Sequence, residues 1–207
     1  MRKTAKTGFT AAVTTLALMG TLLAGGLAAA QAPAAPAKSA MPVQPAQAKS
    51  GYRAEFLVLL DDVQKKVLTL AEAVPADKYS WRPAPGVRSV GEVYMHLAGA
   101  NFYFPTLWGV KPPADVDVRN LEKSSGDKAK VAAALQQSFA HVRQVVESTS
   151  DADLEKSVSL FGHPGTVRAA MTVMGNHTHE HLGQSIAYAR SNGIVPPWSQ
   201  ADAKGSR

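Results

Sequence analysis

The chain contains no cysteine. No disulfide can staple it and no thiolate can act as nucleophile, so any metal must be held by imidazole, carboxylate or water. Sustained alternation of β-branched residues is also missing, which argues against a sheet. Lysine and arginine nowhere cluster with interleaved aromatics, so nucleic acid is not an indicated partner. The excess of positive charge is partly local. Residues 1–30 carry three basic and no acidic side chains, and without them the formal net charge of +6 falls to +3.

Those first thirty residues have their own layout. A basic head, Arg2, Lys3 and Lys6, precedes an apolar run from Ala11 to Leu23, and Ala28, Ala29 and Ala30 offer a small-residue cleavage site before Gln31. This is the pattern of a secretory signal peptide. The run is diluted by Thr14, Thr15, Gly20, Gly25 and Gly26 and falls short of the ~20 strongly apolar residues of a membrane span. The expectation is an exported protein, periplasmic or secreted, with no stable span once the signal is cleaved. Residues 31–50 read as a Pro/Ala-rich linker, 51–198 as the folded domain, and 199–207 as a disordered tail.

Four segments of the domain repeat apolar residues at the helical period. Phe56, Leu59, Leu60, Val63, Val67, Leu70 and Val74 form the first stripe, which Pro75 stops. The second opens on Ser89-Val90-Gly91-Glu92, a capping-box pattern, and runs through Val93, Leu97 and Ala100 to Phe104. The third starts near Asp127, a suitable N-cap, and carries Val131, Leu135, Phe139, Val142 and Val146. The fourth follows His163-Pro164-Gly165 and ends at Asn192-Gly193, a C-terminal helix signal. These segments predict an all-α four-helix bundle, with the longer connection from Pro105 to Gly126 covering one end.

The fourth segment contains "NHTHEHLGQ", in which His177, His179 and His181 alternate. On a helix each residue turns about 100°, so His177 and His181 share one face while His179 points about 200° away. The alternation reduces to a pair and a bystander. The stripe Val167, Met171, Met174, His177 or Thr178, His181, Ser185, Tyr188 places the pair where the bundle expects core residues. Two imidazoles at i and i+4 lie close enough to share an ion. His96 lies beside Val93, Leu97 and Ala100, on the inward side of the second helix, and supplies a third nitrogen. Three protein ligands leave room for water or substrate, as catalytic sites do. All-histidine ligation suits zinc, and also nickel, iron(II) or manganese. His163 reads as loop surface and His141 as solvent-facing. The string also resembles the His-x-His-x-Asp-His of metallo-β-lactamase-like enzymes, but that motif follows a strand, and the flanks here are helical.

Two stretches carry a resemblance to a known family. "WRPAPGVRSVGEVYMHLAGA" and "HTHEHLGQSIAYARSNGIVPP" resemble the second and last helices of DinB-like proteins, the four-helix superfamily that also holds YfiT-type proteins regarded as metal-dependent hydrolases. The likeness covers about residues 51–198. It implies that the metal-binding histidines fall on His96, His177 and His181. Where many relatives read His-His-Arg-Gly-Gln, this chain has Glu180-His181-Leu182-Gly183-Gln184. Some relatives resemble transferases and isomerases that use low-molecular-weight thiols, a branch at odds with export.

The expected function is therefore a metal-dependent hydrolase acting on an unknown small-molecule substrate. Glu180, beside the metal stripe, is the candidate catalytic base. Glu92 is assigned to the capping box instead. Gln184 and Asn101 are candidates to orient a ligand. The alternative is a non-catalytic periplasmic metal-binding or interaction domain, and a homodimer through a helical face is compatible with either.

Overall fold

A computed structural model of the chain describes residues 51–200. The expected signal peptide, the linker and the tail beyond Gln200 lie outside the described residues. Helix α1, Gly51–Ala73, buries Phe56, Leu60, Val63, Val67 and Leu70. Leu59, assigned to that stripe from the sequence, is instead 59% exposed beside Val58, because the buried face is narrower than the run of apolar residues. Pro75 caps a short 3-10 turn, Ala76–Lys78. Helix α2, Val90–Tyr103, begins with the expected capping box, in which Ser89 accepts from the Glu92 amide and Glu92 accepts from the Ser89 amide. Helix α3, Lys128–Ser148, is capped by Asp127, which accepts from Ala129 and Lys130.

The connection between α2 and α3 forms two 3-10 turns, Phe104–Trp108 and Val118–Ser124. The second packs along α2 rather than simply closing the end of the bundle. After α3 comes a single helical turn, α4, Asp151–Leu154. Next is a two-stranded antiparallel hairpin, β1 Ser157–Leu160 and β2 His163–Thr166. The expectation of no sheet is corrected here. Each strand has only four residues, too few for alternation to register, and His163 opens a strand instead of sitting in a loop, though it remains exposed. Helix α5, Val167–Ser191, runs from a Thr166 cap to Asn192, with Gly193 at φ 73° beyond it, as the C-terminal signal predicts.

The four long helices pack α1 against α3 and α5, and α2 against α3 and α5. Antiparallel α1 and α3 are tied by Arg53 to the Glu147 carbonyl at 3.5 Å, Arg143 to Asp61, and Lys128 to the Glu72 carbonyl at 2.7 Å, and Arg53 also reaches Asp151 of α4 at 2.9 Å. Val67, Leu70, Leu135, Phe139 and Met171 are fully buried between the helices. His141, expected to face solvent, is buried, with its ring 5.5 Å from Phe102. Because α3 contacts both α1 and α2, it buries a second stripe, Ala134, Ser138, His141 and Val145, which a single-stripe reading overlooks. Burial lowers the His141 pKa.

Candidate metal centre

The three histidines singled out from the sequence converge between α2 and α5. His177 Nε2 lies 3.2 Å from His96 Nε2 and 3.1 Å from His181 Nε2, and one ligand atom from each ring falls within 4.8 Å of the others. Imidazole nitrogens placed at ~2.0–2.1 Å from a zinc ion are about 2.8–3.0 Å apart at octahedral angles and about 3.3–3.4 Å apart at tetrahedral angles, so the two close pairs, at 3.2 and 3.1 Å, already lie near ligand spacing. One detail of the helical reading is corrected. The buried stripe of α5 passes through Met174, Thr178, Leu182 and Ser185, and His177 and His181 stand beside it, half-buried. Leu182 and Thr178 fill the core so that the imidazoles can face a cleft.

Two outer contacts orient the rings. His181 Nδ1 lies 2.8 Å from Gln184 Oε1, and an amide carbonyl only accepts, so this nitrogen carries the proton and Nε2 is left with its lone pair. Gln184 is held in turn by its Nε2 donating to the Tyr188 hydroxyl at 3.0 Å, and the Tyr188 ring meets Trp81 edge-on at 5.5 Å. On the other side, Glu122 Oε1 lies 3.6 Å from His96 Nδ1 and also pairs with Arg88. A carboxylate behind an imidazole favours the same tautomer. Two lone pairs are thus aimed at His177 Nε2, an arrangement that accommodates one shared proton or one cation. The donor set fits a divalent ion.

Electrostatics disfavours protonation of His177 and His96. Burial, followed by the neighbouring His181 and His96 and the Arg88 charge, pushes the His177 pKa down to about 4. Burial and Arg88 also lower His96, with Glu122 opposing them. An imidazole that is neutral at pH 7 is ready to ligate. In the metal-free protein this has a stability consequence. The unfolded chain protonates His177 near ~6.5 and the folded chain only near about 4, so between these values the unfolded state binds more protons. The stability present above pH ~6.5 is lost as pH falls through about 4. Urea midpoints of metal-free protein are expected to drop between neutral and mildly acidic pH, and His177→Gln to shrink that drop.

Two clefts meet at the cluster. One, of about 450 Å³, is lined by Met95, Gly99, Tyr103, Phe104, Leu121 and Phe161 together with His96, His177 and Glu122. The other, of about 820 Å³, is polar and brings together Arg82, Arg88, Glu92, Glu122, Glu180, His181 and Gln184. Glu180 is therefore exposed on the wall next to His181. Glu92 is occupied by its cap, 2.6 Å from the Ser89 amide, and by Arg82 at 3.1 Å, which holds its carboxyl below the usual range. Asn101 is buried away from the cluster, donating to Ser138 at 3.1 Å. His179 bonds back to the Gly175 carbonyl at 2.9 Å and lines a separate cavity between α1 and α5, as a bystander. The residue that sequence reading missed is Glu122. It sits in a 3-10 turn with no periodicity, and only the packing of that turn on α2 brings it to His96.

A four-helix bundle with three imidazoles gathered at the mouth of two clefts is the class of protein these features define. The sequence profile of the DinB superfamily matches residues 59–185, and the chain belongs to that superfamily. Among solved structures it is similar to a DinB-like protein from Bacillus cereus ATCC 10987, at 20% identity and TM-score 0.59, covering 70% of this chain and 95% of that one. A DinB-like protein from Bacillus subtilis matches at 21% identity and TM-score 0.46, covering 68% and 93%. No curated protein matches. At these identities the Bacillus cereus structure supports the helical fold alone.

Proposed function

We propose that the protein is an exported metal-dependent hydrolase acting on a small molecule. The observation that carries this is the convergence of the Nε2 atoms of His96, His177 and His181 where two clefts open. Zinc suits the donor set best, with nickel, iron(II) and manganese as competitors. A bound divalent ion supplies Lewis acidity and lowers the pKa of its water towards ~7. Glu122 and Gln184 hold the His96 and His181 rings in register. Phe104, whose ring meets His177 edge-on at 5.7 Å, shields one side from bulk water. Glu180 Oε, on the wall of the polar cleft, takes the proton of the attacking water and returns it to the leaving group. Export rests on the layout of residues 1–30 and predicts that protein recovered outside the cytoplasm begins at Gln31.

The test is a screen of esters, amides and lactones with metal-loaded protein, repeated after chelation and after metal return. Turnover lost and regained in this way is the expected result. Glu180→Gln is expected to lower kcat by about 10²–10⁴-fold, the usual contribution of a general base, with metal content unchanged. One tightly held ion without turnover of any compound would instead favour a non-catalytic metal-binding module.

A further inference from the structure

We propose that the substrate is an amphiphile: a carbonyl head at the three imidazoles, and an unbranched apolar chain in the cleft between α2 and the Val118–Ser124 turn, with Phe161 as its specificity-determining cover. This rests on the hydrolase reading above and extends it to a substrate class. The cleft, at about 450 Å³, lies within the ~300–1,000 Å³ range of small-molecule sites. Apart from the Tyr103 hydroxyl, its polar side chains are those of the cluster itself, His96, His177 and Glu122. An apolar chamber continuous with a candidate metal centre fits a ligand that is apolar at one end and a ligating oxygen donor at the other.

The hairpin supplies an independent observation. Leu160 pairs with His163, so Phe161 and Gly162 are the two central residues of the turn, both left-handed, at φ 51° and 87°. Such a turn favours asparagine then glycine, and a bulky side chain in the first place is strained. Phe161 is the non-glycine residue with positive φ among the described residues. It is also 64% exposed, so burial does not offset the strain. Its ring instead meets Phe104 edge-on at 6.1 Å, and Phe104 meets His177 at 5.7 Å. An aromatic relay therefore runs from the hairpin tip to the candidate ligand, and turn stability alone would place asparagine here.

The opposite wall agrees. Gly99 lies within α2, where glycine is disfavoured relative to alanine. A Cβ built there would make ordinary contacts, 3.9 Å from Leu121 Cδ1 and 4.0 Å from Val118 Cγ1. Packing does not demand this glycine, and lacking a side chain it keeps the cleft open. The head is assigned from charge. Arg88 is engaged by Glu122 and Arg82 by Glu92, so neither is free to receive a multiply charged phosphate. A carbonyl needs only the ion and one donor. The polar cleft beyond, with Gln184 and Glu180, receives the remainder of an ester or amide.

The experiment titrates alkyl hydroxamates, from acetyl to octanoyl, into the zinc-loaded protein by calorimetry. Acetohydroxamate reports the head site alone, and each added methylene is expected to tighten binding roughly fourfold as it leaves water. Phe161→Asn, which suits the turn, and Gly99→Leu, which fills the cleft while favouring the helix, should each flatten that gradient and leave zinc content and acetohydroxamate affinity as they were. A gradient untouched by both variants, or none in the parent, overturns the proposal. If acetohydroxamate fails to bind, the metal reading has failed. The alkan-1-ol series on the same protein then decides the chain site, where a gradient sensitive to Phe161→Asn supports it and a flat response overturns it. A gradient masked by dimerisation, seen in sedimentation, would assign the cleft to a second copy of the chain and overturn the proposal too.

Discussion

Replacing His177 with alanine is expected to weaken zinc binding by more than roughly 100-fold, beyond the ~10–100-fold typical of losing an outer-sphere partner. His177 Nε2 is the nitrogen common to both short separations, 3.2 Å to His96 and 3.1 Å to His181. Without it, two nitrogens remain on different helices with no third donor between them. The fold should survive, because Thr178, Met174 and Leu182 carry the core packing of this stretch while His177 only flanks it. Gln184→Leu offers the graded comparison. It frees the His181 Nδ1 proton from its 2.8 Å acceptor without removing a ligand, and its loss should stay within the outer-sphere range. Competition titration with a chromogenic chelator, alongside circular dichroism, measures both effects. A His177→Ala protein that binds zinc like the parent would place the metal elsewhere.

Among the glycines of the described residues, Gly91 is expected to be the most damaging to replace with alanine. Gly91 lies in the first turn of α2, where its amide donates to the Tyr79 carbonyl at 2.9 Å. A Cβ there would lie well inside van der Waals contact of the Ser125 carbonyl oxygen, 2.8 Å from its carbon and 3.2 Å from Tyr79 Cδ1. Two of these obstacles are backbone atoms, which a rotamer change cannot move. Overpacking of this kind costs about 1–3 kcal/mol, and for a domain of this size the thermal midpoint should fall on the order of 5–10 °C. The displacement has a functional reach. Ser125 follows the turn that carries Glu122, so moving it withdraws the carboxylate behind His96. Zinc affinity of any folded Gly91→Ala protein should fall as well, although the substitution touches no ligand. Gly99→Ala, which meets only ordinary contacts, is the control expected to leave both unchanged or improved.

The helices and the three histidines were legible because both signals are periodic. Capping at Ser89 and Asp127, the stop at Pro75 and the Asn192-Gly193 end are local chemistry, and the structure places helix boundaries at them. The i and i+4 spacing of His177 and His181 translates directly into proximity on a helix. His96 required only that its helix pack nearby. What was not legible depends on tertiary packing. Glu122 reaches His96 because a 3-10 turn folds back along α2, and nothing in its immediate sequence announces it. His141 is buried because α3 faces two neighbours at once. The hairpin escaped because four-residue strands are too short to show alternation, and because a Phe-Gly turn lacks the usual Asn-Gly signal. Glu180 is placed on the polar cleft, and its part in proton transfer stands or falls with the activity screen.

The most direct test of the central claim is X-ray absorption at the zinc edge of the loaded protein. Three imidazole nitrogens at ~2.0–2.1 Å, completed by oxygen from a non-protein ligand, are predicted for the parent, with the three-imidazole signature lost in a His177→Ala/His181→Ala double variant. A shell of carboxylate oxygens, or fewer than three imidazoles around the ion in the parent, would contradict a centre built on His96, His177 and His181.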